Sequence, residues 1–305
     1  MTAATETVAA RRAKVAVAKR RRRRMPRVWL HVFLIVTAML WLAPLLWAVF
    51  TSFRPYSDTA EHGYVSVPHT LSLSNYRNAW TQGDIPLHFW NSMQIAIPAI
   101  ALILLFAASV GFVVSRFSFW FNVPLLIFFM AANLLPQQVI ITPLYQMYLR
   151  IHLPTWLSSS GLMYDSIFGL IAINVAFQTG FCTFVLSNYM KTIPKSLSEA
   201  ARVDGAGVVR QFFGIILPLT LPALAALATL EFTWIYNDFL WAVVLMSSGD
   251  KRPITSSLTN LQGVYFTDNN LIAAASVLVA LPTVAVFFAL QRYFIGGLTL
   301  GAQKG

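Results

Sequence analysis

Along the chain, apolar residues fall into long runs bounded by polar or turn-forming residues. A bilayer core about 30 Å thick needs about 20 mostly apolar residues for one helical crossing. Six runs meet that length, near Val28 to Phe50, Phe89 to Val114, Asn122 to Tyr148, Asp165 to Met190, Ile215 to Met246 and Leu271 to Phe294. The pattern predicts an all-α membrane protein of six transmembrane helices, the fifth the longest. Between the first two runs, residues 51–88 carry Pro55, Gly63, Pro68, Gly83 and Pro86 and read as a loop region. A shorter connection holds Pro154 and Ser158 to Gly161, and a third, Ser247 to Asn270, holds Gly249, Pro253 and Gly263. No internal repeat or large soluble domain intervenes, so residues 28–305 form one membrane domain behind a tail of residues 1–27.

Composition agrees with this reading. With 57% apolar and 11% charged side chains and a mean hydropathy of +0.64, the chain has more apolar surface than a soluble core of 305 residues could hide. The net charge of +11 suggests an acidic partner until the charges are located. Ten Lys and Arg between Arg11 and Arg27, opposed by Glu6, account for +9 of it and leave +2 for the rest. The basicity belongs to a tail expected to be disordered, and a nucleic-acid-binding body is disfavoured. Arg20 to Arg24 read as an orientation anchor, a patch for anionic lipid or a nucleic-acid arm, the first two preferred.

Charge also orients the chain. With the amino terminus inside, the segments on that side carry 17 Lys and Arg and those opposite carry 5, so both termini are expected to be cytoplasmic. The first run follows a basic stretch, as a signal peptide would. It is too long for a typical signal core, however, and Val49 to Phe53 lack a small-x-small cleavage pattern, so it reads as an uncleaved anchor.

No catalytic constellation is present. The five histidines, His31, His62, His69, His88 and His152, are dispersed and include no HExxH, so interfacial or surface roles and no metal site are expected. There is neither a GxSxG nor a GxxxxGK[ST] motif, and without a P-loop the chain is not expected to hydrolyse ATP alone. The single cysteine, Cys182, excludes an intrachain disulfide and reads as a packed thiol.

The segment near 191–214 is different. Lys191 to Gly207 predict a short cytoplasmic helix: Pro194 suits a helix start, and Ser196 with Glu199 three residues later fits a capping box. Gly205 or Gly207 can take positive φ and end it. Val208, Val209, Phe212 and Phe213 then form a second amphipathic turn, before Pro218 and Pro222 lead into the fifth run. Such a helix, with Ala200 and Ala201 as a small face, suits a groove on a cytosolic partner; an ordinary loop helix lying on the bilayer is the alternative.

Glu199 Ala200 Ala201, two residues, Asp204 Gly205 Ala206, then Phe213, Ile216, Leu217, Pro218 and Pro222 resemble the EAA signature of ATP-binding-cassette (ABC) importer permeases. Asn75 Tyr76, Ala79 Trp80, Asn91 Ser92, the run Trp234 to Trp241, and Gln291 Arg292 Tyr293 Phe294 with Gly297 Leu298 Thr299 and Gly301 are similar to the carbohydrate-uptake branch related to the maltose permease pair. The resemblance covers roughly residues 70–305, excludes the arginine-rich tail, and weakens at Phe177 to Cys182 in the fourth run. It implies an ABC importer type I permease fold in a bacterial cytoplasmic (inner) membrane, crossing it several times. It also implies a second homologous permease subunit, two ATPase subunits that bind ATP and Mg, an extracytoplasmic solute-binding protein, and no nucleic-acid partner or cofactor in this chain. Glu199, Ala200, Ala201, Asp204 and Gly205 would then couple the ATPase to the spans, with Glu199 capping or pairing at the docking surface and Asp204 capping the next helix or making an ionic contact. Gly301 to Gly305 resemble a tail that reaches the ATPase interface.

Polar groups within the spans are the candidates for a solute path. A carboxylate inside a span is costly, so Glu231 should face protein or a wet cavity, and a structural partner on a neighbouring helix is preferred over sugar. Asn237 and Asp238 match a family motif and suit packing or gating. Gln137 and Gln138 follow Pro136, where a freed carbonyl and two amides are able to line a sugar path. Trp234, Tyr236 and Trp241 suit sugar stacking or an interfacial belt equally. The competing reading is an ion-gradient-driven secondary transporter, for which only Glu231 offers a suitable intramembrane group; a membrane enzyme lacks its constellation.

Overall fold

The computed structural model describes residues 27–261 and 267–299, the latter with side chains as far as Gln291. The basic tail, Gly263 and Gly301 to Gly305 lie outside the described residues. The chain divides into two units, residues 1–51 and 52–305. The first consists, where described, of α1 (Arg27–Ser52) up to Thr51, a predominantly apolar helix with Pro44 inside it. Its large apolar side chains are exposed, as on a helix that meets hydrocarbon rather than water.

The second unit is helical, with no strand among the described residues. Its principal helices are α2 (Ile85–Arg116), α3 (Asn122–Leu134), α4 (Gln137–Arg150), α5 (Ile167–Thr192), α6 (Lys195–Val203), α7 (Leu217–Tyr236), α8 (Leu240–Leu245) and α9 (Asn269–Thr299). Three of the later apolar runs become single long helices, but the third and fifth do not. In the third, α3 and α4 meet at a 94° bend. Pro136 lacks an amide donor and forces Leu135 into extended backbone (φ −69, ψ 129), so the helix cannot run through. In the fifth, α7 stops at Tyr236, ten residues before the expected end at Met246. There Asn237 donates through Nδ2 to the Thr233 carbonyl (2.7 Å), and the Trp241 amide donates to Asp238 Oδ1 (3.2 Å). Side-chain bonds thus supplement the backbone ladder where it breaks.

The core is built on close approach of α2 and α5. Ala99, Ile103, Ala107 and Gly111 recur every four residues along α2, all buried, and face Cys182, Leu186 and Met190 within one cluster. A Cβ on Gly111 would lie 3.2 Å from the Ser187 amide nitrogen, so the two backbones pass with no room for a side chain. Small residues at such a seam gain dispersion contact where burial from water supplies no driving force. The chain enters α7 through Val208–Gln211 and a π-turn, Phe212–Ile216. Pro218 cannot donate to the preceding turn, and the wider turn accommodates that missing bond.

Side-chain contacts define two ends of this unit. At one, Arg116 donates to the carbonyls of Met190 (3.2 Å) and Ile193 (3.1 Å), placing the end of α2, the end of α5 and α6 together. At the other, Tyr148 near the end of α4 donates to the Gly169 carbonyl (3.0 Å) at the start of α5. Asn122, which opens α3, donates to the Phe117 carbonyl at the α6 end. The bent pair therefore runs from one end to the other and acts as one broken span, which preserves the six-span count.

Candidate functional site

The α6 segment differs in detail from its expected caps. Helix α6 starts two residues earlier than a capping box on Ser196 requires: Pro194 (φ −55, ψ 133) takes the cap position and Ser196 is already helical, so no side chain caps this end. The other end follows the expected glycine. Gly205 has φ +77, its amide donates to the Arg202 carbonyl (3.1 Å), and the Ala206 amide donates to the Ala201 carbonyl (2.8 Å), the paired bonds of a Schellman motif. Gly207 keeps an ordinary φ of −65. Ala201 is buried, whereas Glu199, Ala200, Asp204 and Gly205 are exposed. Asp204 does not cap the next turn; Gln211 Nε2 instead donates to the Ala206 carbonyl (2.8 Å). Val203, 88% exposed, adds an apolar side chain to this outward surface.

A cavity of about 470 Å³ lies between the bent span, α5 and the α7–α8 break. Its polar groups are Asn133, Gln137, Asn174, Gln178 and Asp238, and its aromatic walls include Phe177, Phe181, Trp234 and Trp241. The rings pair across helices, Phe177 with Trp241 and Phe181 with Trp234, each at 5.5 Å between centroids. Two of the polar groups stand where backbone is irregular: Gln137 opens α4 just after the bend, and Asp238 sits in the break before α8. Irregular backbone at membrane depth is tolerated where it lines a cavity or is buried in protein.

Of the five residues proposed for a path, Gln137 and Asp238 line this cavity and three do not. Gln138, the next position round α4, is exposed elsewhere. Asn237 is also exposed and bridges to Thr283 Oγ1 on α9 (3.3 Å), which makes it a tie between spans. Glu231 is fully buried, and Cys182 on α5 donates to its Oε1 (3.1 Å), giving it a partner on a neighbouring helix. The sequence does not single out Asn133 in the third run or Asn174, Gln178 and Phe181 in the fourth, the run where the resemblance weakens at Phe177 to Cys182.

Other motif residues fasten loops. Asn75 donates to the carbonyls of Ser52 (3.0 Å) and Arg54 (2.8 Å). Asn91 donates to the Asp250 carbonyl (2.7 Å), and the Ile254 amide donates to Ser92 Oγ (2.8 Å). His88 pairs through Nδ1 with the Arg252 carbonyl (2.8 Å) and is buried, not interfacial. Asp165, at φ +56, accepts from the amides of Ser247 and Ser248, from Ser248 Oγ and from Lys251 Nζ. Burial alone would raise its pKa, but the bonds from Ser248, Lys251 and Ser247 outweigh that and hold it below the usual carboxylate range.

The histidines are less dispersed than their numbering suggests. His62 and His69 stack at 3.9 Å beside Asp58, the one group among the described residues with three ligand-type side chains close together. Asp58 is already committed to the buried Arg54, whose guanidinium holds that carboxyl below its ordinary pKa. The group works as a clasp: Arg54 also donates to the carbonyls of Gly63 (3.0 Å) and Ser66 (3.2 Å).

Residues 103–299 match the model of the family described as binding-protein-dependent transport system inner membrane component. A probable ABC transporter permease protein of Pyrococcus horikoshii is 32% identical over 260 residues, 85% of this chain and 91% of that protein. An arabinooligosaccharides transport system permease protein of Halalkalibacterium halodurans is 31% identical over 265 residues, 86% and 91% of the two chains. A chain in the crystal structure of a bacterial ABC transporter that imports the acidic polysaccharide alginate has the same fold, with a TM-score of 0.74 at 19% identity, covering 90% of this chain and 98% of that one.

Proposed function

The chain belongs to the family of binding-protein-dependent transport system inner membrane components, and from that premise we propose that it is the permease subunit of an ATP-driven importer whose cargo is a sugar or sugar-like solute. The cavity carries this reading. Sugars present apolar C–H faces and a rim of hydroxyls, which calls for aromatic walls together with amide and carboxylate groups. Trp234, Phe181, Phe177 and Trp241 supply the first, and Asn133, Gln137, Asn174, Gln178 and Asp238 the second.

The α6 end faces the cytoplasm, with both termini on that side, in keeping with the 17 to 5 division of Lys and Arg. ATP and Mg belong to two partner ATPase subunits. A second permease of the same family completes the path, and an extracytoplasmic binding protein delivers the solute. Helix α6 is the coupling element: Glu199, Ala200 and Asp204 face outward for docking, Ala201 packs inward, and Gly205 makes the turn. Because α6 joins α5 directly to the start of the fifth span, displacing it moves both. Gln178 lies fourteen residues before Thr192, so a push at α6 reaches that cavity wall along about 21 Å of rigid helix.

The test is uptake into proteoliposomes of the assembled transporter. The expected result is binding-protein-dependent accumulation of the sugar that the cognate binding protein retains, and only when ATP is supplied. Transport by this chain alone, driven by an ion gradient without ATP, would overturn the reading in favour of a secondary transporter.

A further inference from the structure

A second cavity, of about 290 Å³, opens at the α6 end, away from the aromatic-walled one. Four helix ends meet at it: Arg116 closes α2, Asn122 opens α3, Lys191 lies in the last turn of α5 and Lys195 opens α6. Three cations line it and no carboxylate does. Arg116 spends its Nη groups on the Ile193 and Met190 carbonyls, and its buried Nε–H has no partner. Neither α3 nor α6 has a side-chain cap at its amino terminus, so both present uncapped, partially positive ends here.

Ser115 and Ser118 add hydroxyls to the lining, and Phe117, Phe119, Val123 and Leu126 form an apolar wall on one side. Phe119 stacks on Phe121 at 5.2 Å, and Trp120 between them is 89% exposed. An exposed tryptophan of this kind suits the level of lipid headgroups. We propose that the cavity binds the phosphate of an anionic phospholipid headgroup, with the acyl chains leaving along Val123 and Leu126. Two lysines and the unpartnered Nε–H of Arg116, with no carboxylate in the lining, favour an anion, and the adjoining apolar wall favours a lipid over free phosphate. Lys195 is the first residue of α6, so an occupied cavity also fixes the root of that helix.

This goes beyond the import reading and uses from it only that the chain sits in a bilayer. The test is lipid retention by the full chain in its assembled transporter, extracted from vesicles of phosphatidylcholine and phosphatidylglycerol and read by native mass spectrometry. Wild type is expected to keep phosphatidylglycerol in preference to phosphatidylcholine. Lys191→Gln/Lys195→Gln, at two exposed positions, should bind it roughly thirtyfold more weakly, about five- to sixfold for each lysine. Lys191→Arg/Lys195→Arg should restore it. The cations of residues 1–27 are the same in every sample, so the difference reports the cavity. Unchanged retention in the glutamine pair would overturn the site. Bound inorganic phosphate in lipid-free samples, with no phosphatidylglycerol held from vesicles, would overturn the headgroup assignment. Transport is not part of the readout, so failure of ATP-driven uptake leaves this result standing by itself.

Discussion

Gly205→Ala isolates the turn that ends α6. A Cβ at Gly205 meets no atom within 4 Å, so crowding contributes nothing. The whole cost is that of holding an L-residue at φ +77, about 1–2 kcal/mol. Gly207 is an internal control, since its Cβ position is equally open but its φ is −65. Alanine there is neutral or gains about 0.4–1 kcal/mol from a less free unfolded chain. The same chemical change two residues apart should therefore differ by about 1–3 kcal/mol, roughly a five- to 150-fold change in how often the helix end opens. Hydrogen exchange of the Gly205 and Ala206 amides, donors in the Schellman pair, reads that opening directly. Uptake per ATP hydrolysed in the reconstituted transporter reads its consequence, and it should fall for Gly205→Ala and stay level for Gly207→Ala. Equal exchange and equal coupling in the two variants would show that α6 does not depend on its left-handed turn.

Asp165→Asn removes the carboxylate that gathers Ser247, Ser248 and Lys251, at a cost of about 2–4 kcal/mol for bonds to a buried charge. Because the folded pKa is depressed, the wild-type contribution is present above the ordinary aspartate value and disappears as pH falls through the lower folded value. Melting of the solubilised chain should therefore show an acid-side decline that the asparagine variant lacks, and identical pH profiles would refute the assignment. Gly111→Leu drives a side chain into the α2–α5 seam and should cost about 1–3 kcal/mol; an unaltered melting temperature would mean that the seam is not tight. Trp234→Ala removes one ring of the Phe181 pair from the cavity wall and should raise the KM for sugar uptake several-fold, by about 0.5–1.5 kcal/mol of stacking, with membrane insertion intact. An unchanged KM would move the solute path elsewhere.

Where one physical term dominates, the sequence reads well. Span positions follow from runs of apolar residues because hydrocarbon admits little else, and the glycine that ends α6 follows from the steric cost of positive φ. The breaks were harder to see. Pro136 announces a kink, yet its 94° angle depends on what α3 and α4 pack against. The stop at Tyr236 is hidden inside an apolar run, because Leu240 to Leu245 resume it immediately. The expected Ser196 cap failed by two residues, since Pro194 took the position first. The cavity was legible only in part: Gln137 and Asp238 stand out as polar residues near a proline or a motif, whereas Asn174 and Gln178 become neighbours only when α5 crosses the broken span.

What separates scaffold from site in this bundle is the fate of its polar groups. Asn75, Asn91, Ser92, His88 and Asp165 all end on backbone atoms of another segment, and each of these contacts fixes a loop against a helix end. A group saturated in this way has little left to offer a passing solute. Gln137 and Gln178 lie instead on a cavity wall without a comparable tie, between rings that offer their faces. On the import reading, cargo recognition rests on cavity-wall residues with few structural ties, and the loop clasps rest on residues whose polar groups are already committed to backbone.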